Sequence, residues 1–221
     1  MDLNNQYLGT KSQKLYRVSP LKNYIVQKID NNQNIKRLCR YMTKTPTYNK
    51  GMTYDGQLIK QPDLVDSLLY PVKTDEHAII KDYVLSPYAF TEDVLADRRL
   101  TIYVHSPRSV FNINAASNRP NYGLDELLGK HLFLVEIVYP TEYNQIDPYG
   151  QERANLIACE VLNMLDGLTV EGEIKEIVGE CIFKVEGEIT DLRLSKAGYM
   201  ILSIPVWTTI TGVRSDKVTD Y

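Results

Sequence analysis

The sequence is poor in the residues that carry covalent or metal-based chemistry. Its 221 residues include only three cysteines and three histidines. Cys39, Cys159 and Cys181 stand at least 22 positions apart, which suits neither a disulfide framework nor a CxxC metal site. This cysteine usage favours a protein that works in a reducing compartment.

Long apolar runs and an excess of charge of one sign are also missing. No stretch approaches the roughly 18 apolar residues that a membrane span needs, and the opening MDLNNQYLGT lacks the basic and apolar regions of a signal peptide. The 25 Lys and Arg against 28 Asp and Glu leave a net charge of -3, so no global basic field favours wrapping of duplex DNA. We expect no membrane association and no secretion through a signal peptide.

The local signatures of common enzyme classes are absent too. There is no GxxxxGK[ST], GxGxxG, HExxH or GxSxG motif. His105 and His131 lie at predicted strand ends, where a histidine is more often half-exposed than a metal ligand. We therefore predict no catalytic residue, no cofactor and no metal site, and expect that the chain is not an enzyme. A metal-dependent hydrolase with a dispersed site, using both histidines and a Glu-rich strand, is the alternative.

What is present is the composition of a globular protein, with 43% hydrophobic and 24% charged residues. Tyrosine is abundant, with 16 Tyr against 4 Phe and one Trp. Tyrosine is favoured at interfaces that are partly wet, although an AT-rich genome would produce the same bias.

The chain divides into four parts by pattern. Residues 1–20 are polar and aperiodic and predict a flexible arm. Residues 21–97 are helical and loop-rich: two helical pieces separated by Asp30-Asn31-Asn32 precede a connection rich in Pro and Gly over residues 43–71, with one helical turn at 63–69. An extended segment at 83–89 and a helical turn at 91–96 follow. Residues 98–212 form a predicted α+β core, and 213–221 a polar C-terminal tail.

Within the core, alternation at 100–105 predicts a strand, and the apolar run at 132–139 predicts a strand in the middle of the sheet. A short helix is expected at 124–128. The helix expected at 151–166 has a buried stripe and ends before Gly167 as its C′ residue. That stripe consists of Ala154, Ile157, Ala158, Val161, Leu162 and Leu165. The ribbon 179–210 predicts a hairpin. The fold class is therefore α+β, a small, mixed, mainly antiparallel sheet packed by one or two helices.

Charged residues give weaker signals. Glutamates between 171 and 188 alternate with apolar residues and predict the solvent face of a ribbon. Lys36, Arg37 and Arg40 crowd one short helix and are the candidates for proximity to nucleic acid, or for a nucleic-acid-binding module. Pairing with acids or solvation is the more common role of such residues.

The order of elements resembles a family of viral proteins. A loop-rich helical N-terminal part, the strand at 100–105, a central strand ending in Pro140, the helix ERANLIACEVLNMLDG and the ribbon GECIFKVEGEITDLRLSKAGYMILSIPVWTTIT follow one another. Over about residues 98–212 this arrangement resembles neck and tail-completion proteins of tailed bacteriophages, which include tail terminators and head–tail connector components. The resemblance is one of order and character and has no diagnostic short motif.

The resemblance implies a structural virion protein whose core forms a homo-oligomeric ring that joins tail to capsid. Its implied partners are itself, other virion neck and tail proteins, and genomic DNA that passes through the lumen without sequence-specific binding. Assembly would take place in the host cytoplasm. A baseplate or other virion component is the alternative within this class.

Pro205 bears on where such a ring would be joined. Because proline cannot donate to a ladder, we expect the strand 199–210 to be an edge strand or to carry a bulge. Its outward residues and the polar ends of the chain would then contact the adjacent subunit. The candidate interface residues are Tyr199, Ile201, Trp207 and Thr209.

Overall fold

The computed structural model describes residues 17–41, 48–54, 57–60, 62–65, 70–73, 79–82, 100–111, 129–141, 144–146, 151–193 and 199–210. The elements expected at 83–89, 91–96 and 124–128, and the expected arm and tail, lie outside these ranges. The described part combines helices with an antiparallel sheet, so the predicted α+β class is confirmed.

Two N-terminal helices meet at a capped break, as predicted. α1 spans Val18–Asn31 and α2 spans Gln33–Arg40. Between them the Asn32 side chain accepts hydrogen bonds from the backbone N–H of Asn34 and Ile35 at 2.9 and 3.1 Å. These bonds satisfy backbone N–H groups that have no partner within the first turn of α2. Asn32 itself has extended backbone angles, so α1 and α2 are separate helices.

Short hairpins occupy part of the region predicted to be an irregular connection. The strands are β1 (Tyr48–Tyr54), β2 (Gln57–Lys60), β3 (Tyr70–Lys73) and β4 (Ile79–Asp82), with β1 pairing β2 and β3 pairing β4. For β1 and β2 the prediction of an irregular connection was wrong. Gly56 was counted among the glycines that break regular structure, but the dipeptide Asp55-Gly56 is typical of hairpin turns. Of the helical turn expected at 63–69, residues 63–65 are described and are not helical.

The main sheet has five strands, and they come from residues 101–210. They are β5 (Thr101–Phe111), β6 (Gly129–Pro140), β9 (Cys181–Val185), β10 (Thr190–Arg193) and β11 (Tyr199–Ile210). Their order is β10-β11-β6-β5, and β9 also pairs with β11. β6 therefore lies between two partners, which confirms its predicted central place.

The strand β11 is inside the sheet and not at its edge. β6 pairs along its whole length, while β10 covers residues 200–203 and β9 covers residues 206–210 on the other side. The edge-strand expectation was wrong, because the irregularity that Pro205 requires lies in the neighbouring strand. On one side Pro205 is paired with Leu134 of β6. On the other side it faces the interruption between β9 and β10, where no residue is paired with it. Gly187, at φ 121, lies in this interruption, and a Cβ there would come within 3.2 Å of the proline ring.

The helices cover one face of the sheet, which we call the core face. Tyr24 of α1 stacks on Phe183 with ring centroids 6.2 Å apart, and α1 also contacts β5. The core-face residues with less than a tenth of their surface exposed include Ile102, Val104, Phe133, Val135, Ile137, Leu202, Ile204 and Val206. The opposite side is the outer face.

The long helix α3 spans Arg153–Leu165, after a two-stranded ribbon of β7 (Gln145–Ile146) and β8 (Gln151–Glu152). Five of the six predicted stripe residues are buried, but Leu162 is only half-buried and lies outside the core cluster. Gly167 has φ 79, as expected of a C′ residue. A short helix α4 (Glu173–Val178) follows and packs on α1.

Polar contacts join α3 to the two N-terminal helices. Glu160 accepts hydrogen bonds from the amides of Asn32 and Asn34 at 3.2 and 2.9 Å, one to each carboxylate oxygen. The buried Arg153 donates to the carbonyls of Leu38 and Tyr41 at the end of α2. A cation at a helix C-terminus is favourable, so the two contacts hold both ends of α2 against α3.

Candidate functional site

The two histidines expected at strand ends point to opposite sides of the sheet, and His105 lies within β5, which continues past the predicted end at residue 105. His131 lies on the core face, fully buried, with its Nδ1 2.7 Å from Ser109 Oγ. His105 lies on the outer face, with its Nδ1 3.7 Å from Glu136 Oε2. The sheet therefore prevents both from binding one metal ion. Among the described residues, no group of three or more His, Cys, Asp or Glu side chains is placed to hold a metal.

A polar cluster surrounds Glu136 on the outer face. Ser203 Oγ donates to Glu136 Oε1 at 3.5 Å, and the buried Tyr103 faces Glu136 across the ladder. Burial, and then the Glu136 charge, raise the pKa of Tyr103 to about 12. The carboxylate lies between Ser203 and His105, whereas a serine–histidine pair needs the imidazole in contact with the serine hydroxyl. Ser203 and His105 are consequently not arranged as a nucleophile and its histidine base.

Lys36 and Arg37, named as candidates for proximity to nucleic acid, are buried and paired. Lys36 Nζ lies 3.5 Å from Asp30, and Arg37 forms an ion pair with Asp63. These contacts fasten α2 to its neighbours and leave little cationic surface for a phosphate. The side chain of Arg40 lies outside the described residues.

A partly apolar surface is exposed on the outer face at one end of the main sheet. Two cross-strand rows form it, and the register places them next to each other across β5, β6, β11 and β9. We call this surface the platform; its first row is Val110, Lys130, Thr209 and Ile182, and its second row is Arg108, Leu132, Trp207 and Lys184.

Apolar side chains of the platform remain open to solvent in the single chain. Ile182 is 49% exposed and Val110 37% exposed, while Trp207 and Leu132 are half-buried. A groove of about 440 Å³ runs over the β9 side of the platform. Its lining residues are Lys130, Thr169, Glu180, Ile182, Lys184, Glu186, Trp207 and Thr209. An indole beside an exposed isoleucine inside a polar rim is the composition of a contact surface.

The platform also carries cations without anionic partners. Arg108, Lys130 and Lys184 are exposed, and none forms an ion pair with another residue in the described ranges. Glu180, at the rim of the groove, lies 3.4 Å from Lys175. The exposed Glu186 also lines the groove and forms no ion pair with a residue in the described ranges. The surface around Trp207 is therefore apolar in the middle, and at its margin the three cations outnumber this one carboxylate.

The structure separates the four residues named as interface candidates. Trp207 and Thr209 belong to the platform. Tyr199 and Ile201, near the other end of β11, are buried with 4% and 9% of their surface exposed. Of the four candidates, only the two in the second half of the strand are partly exposed.

Sequence reasoning missed six platform residues, namely Arg108, Val110, Lys130, Leu132, Ile182 and Lys184. The alternation in β9 was a usable signal, since it places Ile182 and Lys184 opposite the buried Cys181 and Phe183. For Arg108 and Val110 no such signal existed. An irregularity between His105 and Arg108 shifts the register of β5. Odd-numbered residues before it and even-numbered residues after it therefore share the outer face of the strand.

Comparisons with protein-family models, curated proteins and solved structures found no match for this chain. In the described part of the chain, no helix has the length and apolar character needed to cross a membrane.

Proposed function

We propose that this chain is a structural virion protein of the neck or tail-completion complex of a tailed bacteriophage. In this proposal copies of the chain assemble in the host cytoplasm into a ring that joins tail to capsid and lets DNA pass. The observation that carries the proposal is the platform, where the half-buried Trp207 shares the outer face of a well-packed sheet with the exposed Ile182 and Val110.

A contact surface needs a rigid support, and the platform has one. Its two rows cross four hydrogen-bonded strands, and the core face directly beneath holds the fully buried Phe133, Phe183 and Val206. Side chains on such a support lose little backbone entropy when a partner covers them. Tryptophan is enriched among the residues that dominate interface energies, so Trp207 is the residue on which we expect self-association to depend most.

The charge of the chain suits the passage of DNA. The net charge is -3, and the carboxylates of Glu186, Glu188 and Asp191 are exposed. An acidic surface repels phosphates over about one Debye length, roughly 8–10 Å at physiological ionic strength. DNA would pass such a surface without adhering to it.

Self-association and ring formation are directly measurable. We expect sedimentation of the purified chain, across micromolar concentrations, to give a mass several times 25.3 kDa. Negative-stain images of that species should show closed rings. Antibodies against the chain should label the neck of phage particles that contain it.

The matched variants are Trp207→Ala and Trp207→Phe. Removing the indole should weaken assembly by about tenfold or more, whereas phenylalanine should retain much of it. Circular dichroism must show an unchanged fold in both. A wild-type chain that stays monomeric at all concentrations, alone and with neck proteins, would contradict the proposal.

A further inference from the structure

The platform has a chemical counterpart elsewhere on the same chain, in the short helix α4. This helix lies in the helical layer, packed on α1, whereas the platform lies on the outer face of the sheet. The two surfaces therefore belong to opposite layers of the molecule. A pair of different surfaces on one chain is what a head-to-tail contact requires.

The composition of α4 complements that of the platform. Ile177 is 50% exposed, and the exposed Glu173 and Glu176 flank it on the same short helix. Neither glutamate forms an ion pair with a residue in the ranges described. The one lysine of α4, Lys175, is already paired with Glu180. The helix thus offers an apolar centre with a negative margin.

We infer that α4 of one copy docks on the platform of the next copy, with Ile177 against Trp207 and Ile182 and the two glutamates against Lys130 and Lys184. The inference rests on the proposed self-association and specifies its geometry as heterologous. Within one chain these cations and carboxylates form no ion pair in the described ranges, so a second copy can supply the opposite charge to each. Such a contact generates a ring when the rotation between subunits closes.

A charge exchange tests this pairing. Lys184→Glu puts a carboxylate on the platform where it would face the two glutamates of α4. Glu176→Lys puts a cation on α4 where it would face the lysines of the platform. Each change alone should raise the dissociation constant of self-association by about tenfold or more. An equimolar mixture of the two variants should assemble again, and so should the double variant Lys184→Glu/Glu176→Lys, because every contact then joins opposite charges.

The controls separate this inference from the proposed function. The variant Gln27→Glu/Asn163→Asp changes the net charge by as much as Lys184→Glu does, at two exposed positions on α1 and α3, and should assemble normally. Assembly of the wild type with no effect of either exchange would overturn the inference and leave the proposed function standing. Loss of assembly in both single variants without rescue in the mixture would overturn it too. A monomeric wild type would instead reject the proposed function.

One further outcome concerns a different ligand class, because an indole among cations also suits stacking and phosphate contacts with single-stranded nucleic acid. The probe is a thymidine oligonucleotide, with the fluorescence of the single Trp207 as the signal. We expect no quenching at physiological salt. Quenching that Lys184→Glu abolishes while assembly is unchanged would overturn the inference in favour of a nucleic-acid site.

Discussion

At the scale of single residues, burial sets the ionisation of two side chains of the main sheet, Cys181 and Tyr103. Cys181 is 1% exposed, and burial raises its pKa to about 11, with the nearby Arg17 acting in the opposite direction. Tyr103 behaves alike, its pKa raised to about 12. Both side chains are held in their neutral, protonated forms at neutral pH, which suits a core and not a nucleophile.

These two groups predict a loss of stability in alkali. A pKa that is higher in the folded than in the unfolded state stabilises the fold below the unfolded value, and this contribution disappears as pH rises through the folded value. With ordinary pKa values of 9.0 for the thiol and 10.0 for the phenol, the loss should span about pH 9 to 12. A tenfold difference between the folded and unfolded acid dissociation constants corresponds to about 1.4 kcal/mol of unfolding free energy.

Urea unfolding between pH 8 and 11 measures this slope. The variant Cys181→Ala will be less stable overall but should show a shallower decline between pH 9 and 11, because it has lost one titrating group. An identical slope in the two proteins would show that Cys181 does not contribute.

At the scale of elements, the hydrogen bonds that Asn32 and Asn34 donate to Glu160 of α3, which we call the clamp, give a second prediction. Glu160 holds the amides of Asn32 and Asn34, one of which caps α2. Glu160→Ala should lower the free energy of unfolding by about 1–3 kcal/mol, because two partly buried donors lose their acceptor. Chemical denaturation measures it.

The matched control for the clamp is Glu188→Ala, which removes an exposed carboxylate that has no ion-pair partner in the described part of the chain. It should change stability by less than about 0.5 kcal/mol. Equal effects of the two substitutions would contradict the role given to Glu160.

The buried stripe of α3 gives a third prediction. Val161 is fully buried, whereas its neighbour Leu162 is half-buried. Val161→Asp should unfold the domain, since an unpaired charge in the core costs several kcal/mol. Leu162→Asp keeps its carboxylate near water and should cost only about 1–2 kcal/mol.

Thermal melts followed by circular dichroism distinguish these two variants. A cooperatively melting Val161→Asp protein would contradict the placement of α3 on the sheet. The periodicity alone gave Leu162 the same rank as Val161, because a stripe marks a face and not the depth of each residue below the surface.

Elements with strong periodicity were predictable, and the way they pair was not. The capped break at Asn32, the central position of β6 and the C′ role of Gly167 all follow from local patterns. The internal position of β11 does not, because no local rule places the interruption between β9 and β10 opposite Pro205. The platform depends on four-strand register and on the irregularity in β5, so its residues could not be assembled from sequence.

At the scale of the whole molecule, the buried residues between the helices and the core face of the sheet stabilise the fold, and the exposed residues of the platform and of α4 are available for contacts. The helices α1, α2 and α3 cover the core face. The outer face ends in the platform, and α4 extends the helical layer with its exposed isoleucine. The buried polar residues Arg153, Lys36 and Arg37 serve the joints between elements. The exposed cations of the platform and the exposed carboxylates of α4 are those that a second copy can engage.

The packing of α1 on strands from the other end of the chain also constrains how the protein is made. Leu21 and Ile25 belong to the same core as Phe183 and Ile204. At about 5–20 residues per second, synthesis separates these residues by roughly 8 to 35 seconds. The first two helices therefore leave the ribosome long before their apolar faces have partners. Closure of the core must await the release of β11 from the ribosome, so the nascent helices need protection of their apolar faces in the interval.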